Sequence, residues 1–299
     1  IGASLLIVSA CGSSSNPTTP AGGGGAPTST APTDTIVVGS ANFQENVVLA
    51  DIYAEALKAK GVKVTTKLNI GSRETYLPAL KDGSIDLIPE YSGVLLQYFD
   101  KTATAVSSDE VLAGLQKAVP SPLAVLDQSK AEDKDAIVVT KATADKYHLT
   151  SIADLAAVAS KLTLGAPPEF QTRADGIPGL KKVYSVTFKT YKKLDAGGPL
   201  TENGLKNGQI DAGDIFTTDP LIAKNGWVVL SDPKNLYTAQ NVLPLINSSK
   251  ASANVKSVLN AVSAKLTTDD LVQLNEKVQL EKQDADAVAK AWLQAAGLS

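Results

Sequence analysis

The sequence contains very little cysteine, histidine and arginine, and each shortage narrows the functions that the chain can perform. Its 299 residues include one Cys and one His. A single Cys excludes a disulfide framework and a thiolate metal cluster, and a single His excludes a metal site built from several histidines. We therefore expect neither a metal nor a cofactor. Of the 28 basic residues only Arg73 and Arg173 are arginines. An arginine fork suits a carboxylate better than a lysine does, so their positions matter.

Aromatic residues and excess positive charge are also scarce. Aromatic residues make up 5% of the chain, the formal net charge is -3 and the sequence pI is near 5.3. This charge argues against nucleic acid as a partner. The remaining composition, 43% hydrophobic and 20% charged, is typical of a globular protein. The length suggests about two domains.

The first 35 residues are typical of an exported and anchored protein. A short apolar run at residues 5–8 resembles the end of a secretory signal, and the letters VSAC at residues 8–11 resemble a bacterial lipobox. We interpret residues 1–11 as the end of a lipoprotein signal with Cys11 as the lipidation site. Residues 12–35 are nearly all Gly, Ser, Thr, Pro and Ala, which predicts a disordered linker. The protein would then be anchored by lipid at the outer face of the bacterial cell membrane; the alternative is a free Cys in a disordered tail.

Strands and helices alternate in the pattern that follows. The folded part begins with strands predicted at residues 36–39, 62–70 and 85–88, which are separated by helices at 43–60 and 73–81. This alternation indicates βαβ units and a parallel sheet. Further strands are predicted at residues 135–139, 162–165, 210–215 and 227–230, with a capped helix start at Ser151 and helices at 254–266, 269–281 and 285–296.

One segment of the sequence repeats at an offset of 125 residues. Residues 80–91 are LKDGSIDLIPEY and residues 205–216 are LKNGQIDAGDIF. The repeat predicts two α/β lobes of related topology, although convergence on a common helix-to-strand joint would give the same pattern. Tyr91 and Phe216 would then occupy equivalent strand ends. Since ligands of open α/β sheets bind beyond the carboxyl ends of strands, both rings would face one cleft between the lobes.

The sequence offers little support for catalysis. His148 lies in a polar stretch, and the chain has no Gly-x-Ser-x-Gly elbow, phosphate-binding loop or His-Glu-x-x-His pair. A hydrolase would need a nucleophile and base that we do not find, so we predict a binding protein and not an enzyme.

Four segments at predicted strand ends carry the binding hypothesis: residues 40–45, 90–93, 167–173 and 215–219. They combine aromatic faces, which attract a weakly hydrated cation, with an arginine and helix starts, which bind a carboxylate. A methylated ammonium zwitterion suits this chemistry, although each ring could equally pack at a lobe edge. The side chains of these segments that we predict to contact ligand are Asn42, Phe43, Tyr91, Phe170, Thr172, Arg173, Phe216, Thr217 and Thr218.

In this order, the segments GSANFQEN, GSRETYLPALKDGSIDLIPEYSG, GAPPEFQTRADGIPGLKKVY and FTTDPLI resemble the substrate-binding proteins of osmoprotectant ABC transporters, the glycine betaine/choline/carnitine (ProX/OpuC-like) group. The resemblance covers about residues 36–295. It implies an α/β, type II periplasmic-binding-protein fold of two α/β lobes joined by two hinge strands. Lobe 1 would comprise residues 36–137 plus 242–299, and lobe 2 residues 138–241.

The resemblance also implies roles for individual residues. Family members hold a quaternary ammonium in a box of tyrosines and its carboxylate on an arginine, which match Tyr91 and Arg173, and Phe216 falls where a box aromatic is expected. Two positions depart from the pattern, because Asp135 and Gln240 stand where tyrosines are common. The absence of these two tyrosines would weaken the aromatic box for a quaternary ammonium. Alternatively, Asp135 and Gln240 would hydrogen-bond to hydroxyl or N–H groups of another solute. Arg73 could line the cleft or pair with Glu74 on the surface.

We therefore predict an extracytoplasmic, monomeric solute-binding lipoprotein of an ABC importer, which binds a quaternary-amine osmoprotectant such as glycine betaine. Its partners would be the small-molecule substrate, the permease subunits and, through the lipid anchor, the membrane. Two alternatives remain open: the same importer scaffold with a different polar or aromatic ligand, and a solute sensor or structural lipoprotein that takes no part in transport.

Overall fold

The computed structural model describes residues 35–299, so the predictions for residues 1–34, including lipidation at Cys11, lie outside the described residues. The described part contains ten strands: β1 (Ile36–Gly39), β2 (Val64–Lys67), β3 (Leu87–Tyr91), β4 (Leu123–Val125), β5 (Asp135–Val139), β6 (Thr163–Ala166), β7 (Thr190–Lys193), β8 (Ala212–Phe216), β9 (Val228–Val229) and β10 (Val242–Asn247).

Eleven α-helices accompany the strands in the same residues: α1 (Gln44–Ala59), α2 (Arg73–Lys81), α3 (Ser92–Phe99), α4 (Ser108–Ala118), α5 (Lys141–Tyr147), α6 (Ile177–Tyr184), α7 (Pro199–Lys206), α8 (Pro220–Asn225), α9 (Ala253–Ser263), α10 (Thr268–Asn275) and α11 (Ala285–Ala296). Short 3₁₀ turns lie at Ile152–Ala157, Ala159–Lys161, Pro168–Gln171 and Ser248–Lys250, and a π turn at Glu276–Leu280. No helix of residues 35–299 combines the length and apolar character needed to cross a membrane.

The strands form two five-stranded sheets of matching topology. Their orders are β2-β1-β3-β10-β4 and β7-β6-β8-β5-β9. In each sheet the third strand, β3 or β8, has a parallel neighbour on one side and an antiparallel neighbour on the other. Apolar side chains cover both faces of each sheet and form two cores in each lobe. The predicted α/β fold of two related lobes is confirmed.

The repeated Ile-Asp pair forms the same joint in both lobes. Asp86 Oδ2 accepts the amide of Val37 at 2.8 Å, and the amide of Asp86 donates to the carbonyl of Val37 at 2.7 Å. Asp211 makes the same exchange with Thr163, at 2.8 and 2.9 Å. These aspartates bond to the neighbouring strand, and β3 and β8 each begin two residues later than the apolar runs predicted.

The chain crosses between the lobes at two adjacent segments. Glu132 and Asn241 form an isolated antiparallel bridge, and the amide of Asp133 donates to the carbonyl of Gln240 at 3.2 Å. The predicted boundary after residue 137 needs correction, because all of β5, from Asp135 onward, pairs with β8 in the second sheet. The return crossing ends where β10 begins, at Val242.

The C-terminal helices return to lobe 1, but one of them reaches lobe 2. A single helix was predicted over residues 269–281; instead α10 ends at Asn275 and a π turn follows. The Nδ2 group of Asn275 donates to the hydroxyl of Thr218 at 3.1 Å and to its carbonyl at 3.3 Å. Such changes of helical pitch are frequent at functional sites.

Candidate functional site

A cleft of about 610 Å³, counting the part open to solvent, lies between the two sheets. Small-molecule sites commonly lie at such interfaces between domains. Eight of the predicted ligand contacts line it: Asn42, Phe43, Arg73, Tyr91, Asp135, Arg173, Phe216 and Gln240. Ala41, Ser72, Tyr76, Val94, Asp133, Pro167, Glu169, Ala196 and Asp214 complete the lining.

Three aromatic rings from both lobes meet at one wall of the cleft. The ring centroid of Phe43 lies 4.9 Å from that of Phe216 and 6.0 Å from that of Tyr91, and both pairs are tilted. Tyr91 ends β3 and Phe216 ends β8, so the two rings occupy the equivalent strand ends that the repeat indicated. Phe43 stands between them as the residue that precedes α1. Tilted rings at these separations attract one another, and together they present apolar faces from both lobes.

Glu45 fixes the position of the tyrosine in this wall. Its carboxylate is 3% exposed; Oε1 accepts the hydroxyl of Tyr91 at 2.7 Å, and Oε2 accepts Thr218 Oγ1 at 2.5 Å and Asn275 Nδ2 at 2.6 Å. Burial first, and then the charge of Glu45, raise the pKa of Tyr91 well above its usual range. The phenol therefore stays protonated and serves as a donor.

Both arginines lie in the cleft, and each is bound by a carboxylate of lobe 1. Arg73 donates Nε and Nη2 to the two oxygens of Glu90, each at 2.8 Å, with both side chains buried. Arg73 thus lines the cleft and pairs with Glu90, not with Glu74. Arg173 donates Nε and Nη2 to Glu74 at 3.1 and 3.0 Å, which joins lobe 2 to lobe 1. Burial would raise the pKa of Glu74, but the hydrogen bonds and charge of Arg173 outweigh it and lower that pKa to about 2.

Acidic side chains face the arginines from lobe 2 and the crossing segments. Asp135 stands opposite Phe216 in the β5–β8 ladder, and Asp214 lies two residues before Phe216 on β8. Burial, and then the charge of Asp175, raise the pKa of Asp135 to about 7, against the opposing charges of the arginines. Burial also raises the pKa of Asp133, which accepts Thr217 Oγ1 and the amide of Thr218, each at 3.1 Å.

Gln240 has a structural role beside the cleft. Its Oε1 accepts the amide of Val94 at 2.9 Å and so caps the N-terminus of α3. The structure gives this residue a physical reason for being Gln, since a tyrosine would leave that amide without its acceptor.

The other predicted contacts lie outside the cleft. Phe170 is 3% exposed and belongs to the core of lobe 2, because its 3₁₀ turn packs the ring against the sheet. Thr172 is exposed on a neighbouring depression that Arg173 shares. Thr217 hydrogen-bonds Lys134 and Asp133 at the crossing segment. Thr218 is buried against Glu45. These four residues therefore do not line the cleft directly, whereas the other eight predicted contacts do.

Several residues at the site were absent from the sequence prediction. Glu45 lies in the predicted binding segment 40–45. Its place in the first turn of a helix is a signal that could have indicated it, because the positive end of the helix dipole stabilises a carboxylate there. Asp214 lies within the repeat. Glu74 and Asn275 act through partners far away along the chain, and nothing local in the sequence indicates those contacts.

Comparisons with known proteins agree with this geometry. The family model described as the substrate-binding domain of the ABC-type glycine betaine transport system matches residues 34–295. The glycine betaine-binding protein YehZ of Escherichia coli K12 is 27% identical over 277 residues, covering 88% of this chain and 90% of the relative. The carnitine transport binding protein OpuCC of Listeria monocytogenes is 25% identical over 268 residues, covering 87% and 86%.

A solved structure of a glycine betaine/carnitine/choline ABC transporter protein matches with a TM-score of 0.69 and 23% identity, covering 88% of this chain and 99% of that one. This similarity confirms the type II periplasmic-binding fold that the sequence resemblance implied. The family model covers nearly the whole described chain, and its members bind substrates for transporters. The chain belongs to the family of substrate-binding domains of ABC-type glycine betaine transport systems.

Proposed function

We propose that this protein binds a quaternary-amine osmoprotectant between its lobes and delivers it to the permease of an ABC importer, without chemical conversion. It would work outside the cytoplasm as a monomer, held to the membrane by lipid on Cys11. The observation that carries the proposal is the contact of Phe43 with both Tyr91 and Phe216. A quaternary ammonium is weakly hydrated, and aromatic faces within about 6 Å attract it.

The two-lobed arrangement supports delivery as well as binding. The aromatic wall takes one ring from the end of β3 and another from the end of β8, so a solute in the cleft would contact both lobes at once. Closed and open forms would then differ in the surface that they present to a permease.

Calorimetry of the purified protein with glycine betaine, choline, carnitine and proline betaine tests the proposal. We expect at least one of these to bind with a dissociation constant below about 1 mM. The variants Tyr91→Ala and Phe216→Ala should each weaken that binding by at least about 1 kcal/mol, because each removes a ring face. Tyr98→Ala is the matched control, since Tyr98 is 36% exposed and does not line the cleft.

Failure of all four solutes to bind would overturn the quaternary-amine assignment and favour a different polar or aromatic ligand. Equal affinities of wild type, Tyr91→Ala and Phe216→Ala would show that the rings pack the lobes without touching solute. Uptake of the bound solute can be measured in cells that lack the gene. Uptake equal to that of wild-type cells would favour a sensor over an importer component.

A further inference from the structure

The groups that would normally hold a substrate carboxylate are already bound within the protein. Glu90 occupies the Nε and Nη2 donors of Arg73, and Glu74 occupies the same donors of Arg173. Each pair is the bidentate arrangement that an arginine makes with a bound carboxylate. Glu74 therefore stands where a zwitterionic solute would place its own acid group on Arg173.

The helix start behind Tyr91 is occupied in the same way. The amide of Tyr91 donates to Glu90 Oε2 at 3.0 Å, and that of Val94 donates to Gln240 Oε1 at 2.9 Å. The amide of Ser92 donates to the carbonyl of Asn241 at 3.0 Å. The amides of Tyr91, Ser92 and Val94 at the start of α3 thus already have protein acceptors, which leaves fewer free donors there for an anionic ligand.

The cleft instead contains an acceptor without a donor. Asp214 lines the cleft and is 2% exposed, and its Oδ1 atom has no hydrogen-bond partner among residues 35–299. A buried acceptor left without a donor costs about 1–3 kcal/mol. This unsatisfied oxygen is an independent indication that a hydrogen-bonding group of a ligand completes the site.

The position of this acceptor relative to the aromatic wall suits a small amine. Asp214 and Phe216 are two residues apart on β8 and so share a face of the sheet, with Cα atoms roughly 7 Å apart. Asp135 stands opposite Phe216 on the neighbouring strand. A solute whose ammonium lies over the rings could reach Asp214 with a short arm.

The charge around this acceptor favours a cation. Burial first, and then the charges of Asp135 and Asp175, raise the pKa of Asp214 well above its usual range, while Arg173 opposes the shift. The hydroxyl of Tyr237, which the same acids influence, also lacks a partner among the described residues. No three acids, histidines or cysteines of residues 35–299 are arranged to hold a metal ion, so a metal does not account for the cluster.

We infer that the cleft selects a quaternary amine bearing a hydrogen-bond donor, such as the hydroxyl of choline, over a carboxylate zwitterion such as glycine betaine. Asp214, supported by Asp135, accepts that donor, and Glu74 excludes a ligand carboxylate from Arg173. The inference rests on the proposed function, because it concerns which member of the quaternary-amine class occupies the same cleft.

Calorimetry of wild type, Asp214→Asn and Asp135→Asn with choline and glycine betaine tests the acceptor. Wild type should bind choline at least tenfold more tightly. Asp214→Asn should weaken choline at least tenfold and glycine betaine less than threefold, since only choline donates to this group and a carboxylate accepts the hydroxyl more strongly than the amide oxygen of Asn does. Asp135→Asn should also lower the preference for choline over glycine betaine. This second variant keeps the test valid if Asp214→Asn does not fold. Asp145→Asn is the control, since it removes one exposed acid of lobe 2 away from the cleft.

The variant Glu74→Gln tests the exclusion of carboxylates separately. It removes the charge that holds Arg173 and should strengthen glycine betaine at least fivefold while leaving choline within twofold. An unchanged glycine betaine affinity would overturn the role of Glu74.

The remaining outcomes separate the inference from the proposed function. Glycine betaine binding as tightly as choline, or losing as much affinity as choline in Asp214→Asn, would overturn the inference while the proposed function stands. Binding of neither solute, nor of carnitine or proline betaine, would overturn both.

Discussion

Glu45 Oε2 accepts a hydrogen bond from Thr218 Oγ1 at 2.5 Å, and this contact joins the first helix of lobe 1 to the strand end of lobe 2. The same carboxylate accepts the hydroxyl of Tyr91 and the amide of Asn275. One buried acid thus connects a ring of the cleft, the other lobe and the C-terminal helices.

Replacing Glu45 with Ala should lower the free energy of unfolding by about 2–4 kcal/mol, because three buried donors lose their acceptor. Urea denaturation followed by circular dichroism measures the change. Gln44→Ala is the matched control, since Gln44 is the exposed neighbour in the same helical turn. Similar losses in the two variants would show that the network contributes little.

The buried pair of Arg73 and Glu90 should matter more for stability than any surface pair. Arg73→Ala leaves the carboxylate of Glu90 buried without its cation, which should cost about 3–5 kcal/mol. The exposed pair of Lys141 and Asp145 provides the comparison: Lys141→Ala should change stability by at most about 0.5 kcal/mol. Thermal and urea unfolding of both variants measure the difference, and a loss in Arg73→Ala no larger than in the control would contradict the expectation.

The stability of the unliganded protein should fall as the pH rises from 5 to 8. Burial and Asp175 raise the pKa of Asp135 to about 7, so folding favours its protonated form, and that stabilisation is lost as the pH rises through the folded-state value. The charged and titratable groups around Asp135 are Asp175, Asp214, Arg73, Arg173 and Tyr237.

Denaturation at several pH values compares wild type with Asp135→Asn, whose dependence should be shallower. Asp145→Asn should keep the wild-type slope. Glu74 affects stability outside this pH range. Its pKa is lowered to about 2 in the folded protein, so its contribution to stability is lost only as the pH falls below about 4.5. Parallel curves for wild type and Asp135→Asn would count against the assigned protonation.

Binding of choline near neutral pH should release protons and strengthen as the pH rises. A cation beside Asp135 and Asp214 favours their carboxylate forms and lowers pKa values that burial raises. Calorimetry in two buffers with different ionisation enthalpies measures the protons released, and Asp214→Asn should release fewer. An affinity that stays constant from pH 5 to 8, with no proton release, would refute this coupling.

The sequence predicted those parts of the fold that depend on local pattern. The repeat of Leu-Lys-x-Gly-x-Ile-Asp anticipated matching joints, and in the structure Gly83 and Gly208 both have positive φ, at 81° and 65°. Alternating apolar runs located seven of the ten strands and five of the eleven α-helices of residues 35–299. Tyr91 and Phe216 could be assigned to one cleft because the repeat places them at equivalent strand ends of two related lobes, and ligands bind beyond the carboxyl ends of such strands.

The contacts between segments far apart in the chain could not be predicted in this way. Arg173 and its partner Glu74 are 99 residues apart, and Glu45 and Asn275 are 230 apart. Such pairs depend on how the lobes meet, which no periodicity encodes. Phe170 illustrates the opposite kind of error. Its motif at a strand end predicted a ligand contact, but its ring packs in the core of lobe 2.

The matching joints at Asp86 and Asp211 have a mechanical consequence. Each anchors the strand that carries a cleft aromatic to the strand beside it, so the backbone that bears each ring is fixed within its own lobe. A change in the angle between the lobes would therefore change the spacing of Tyr91 and Phe216 across the cleft.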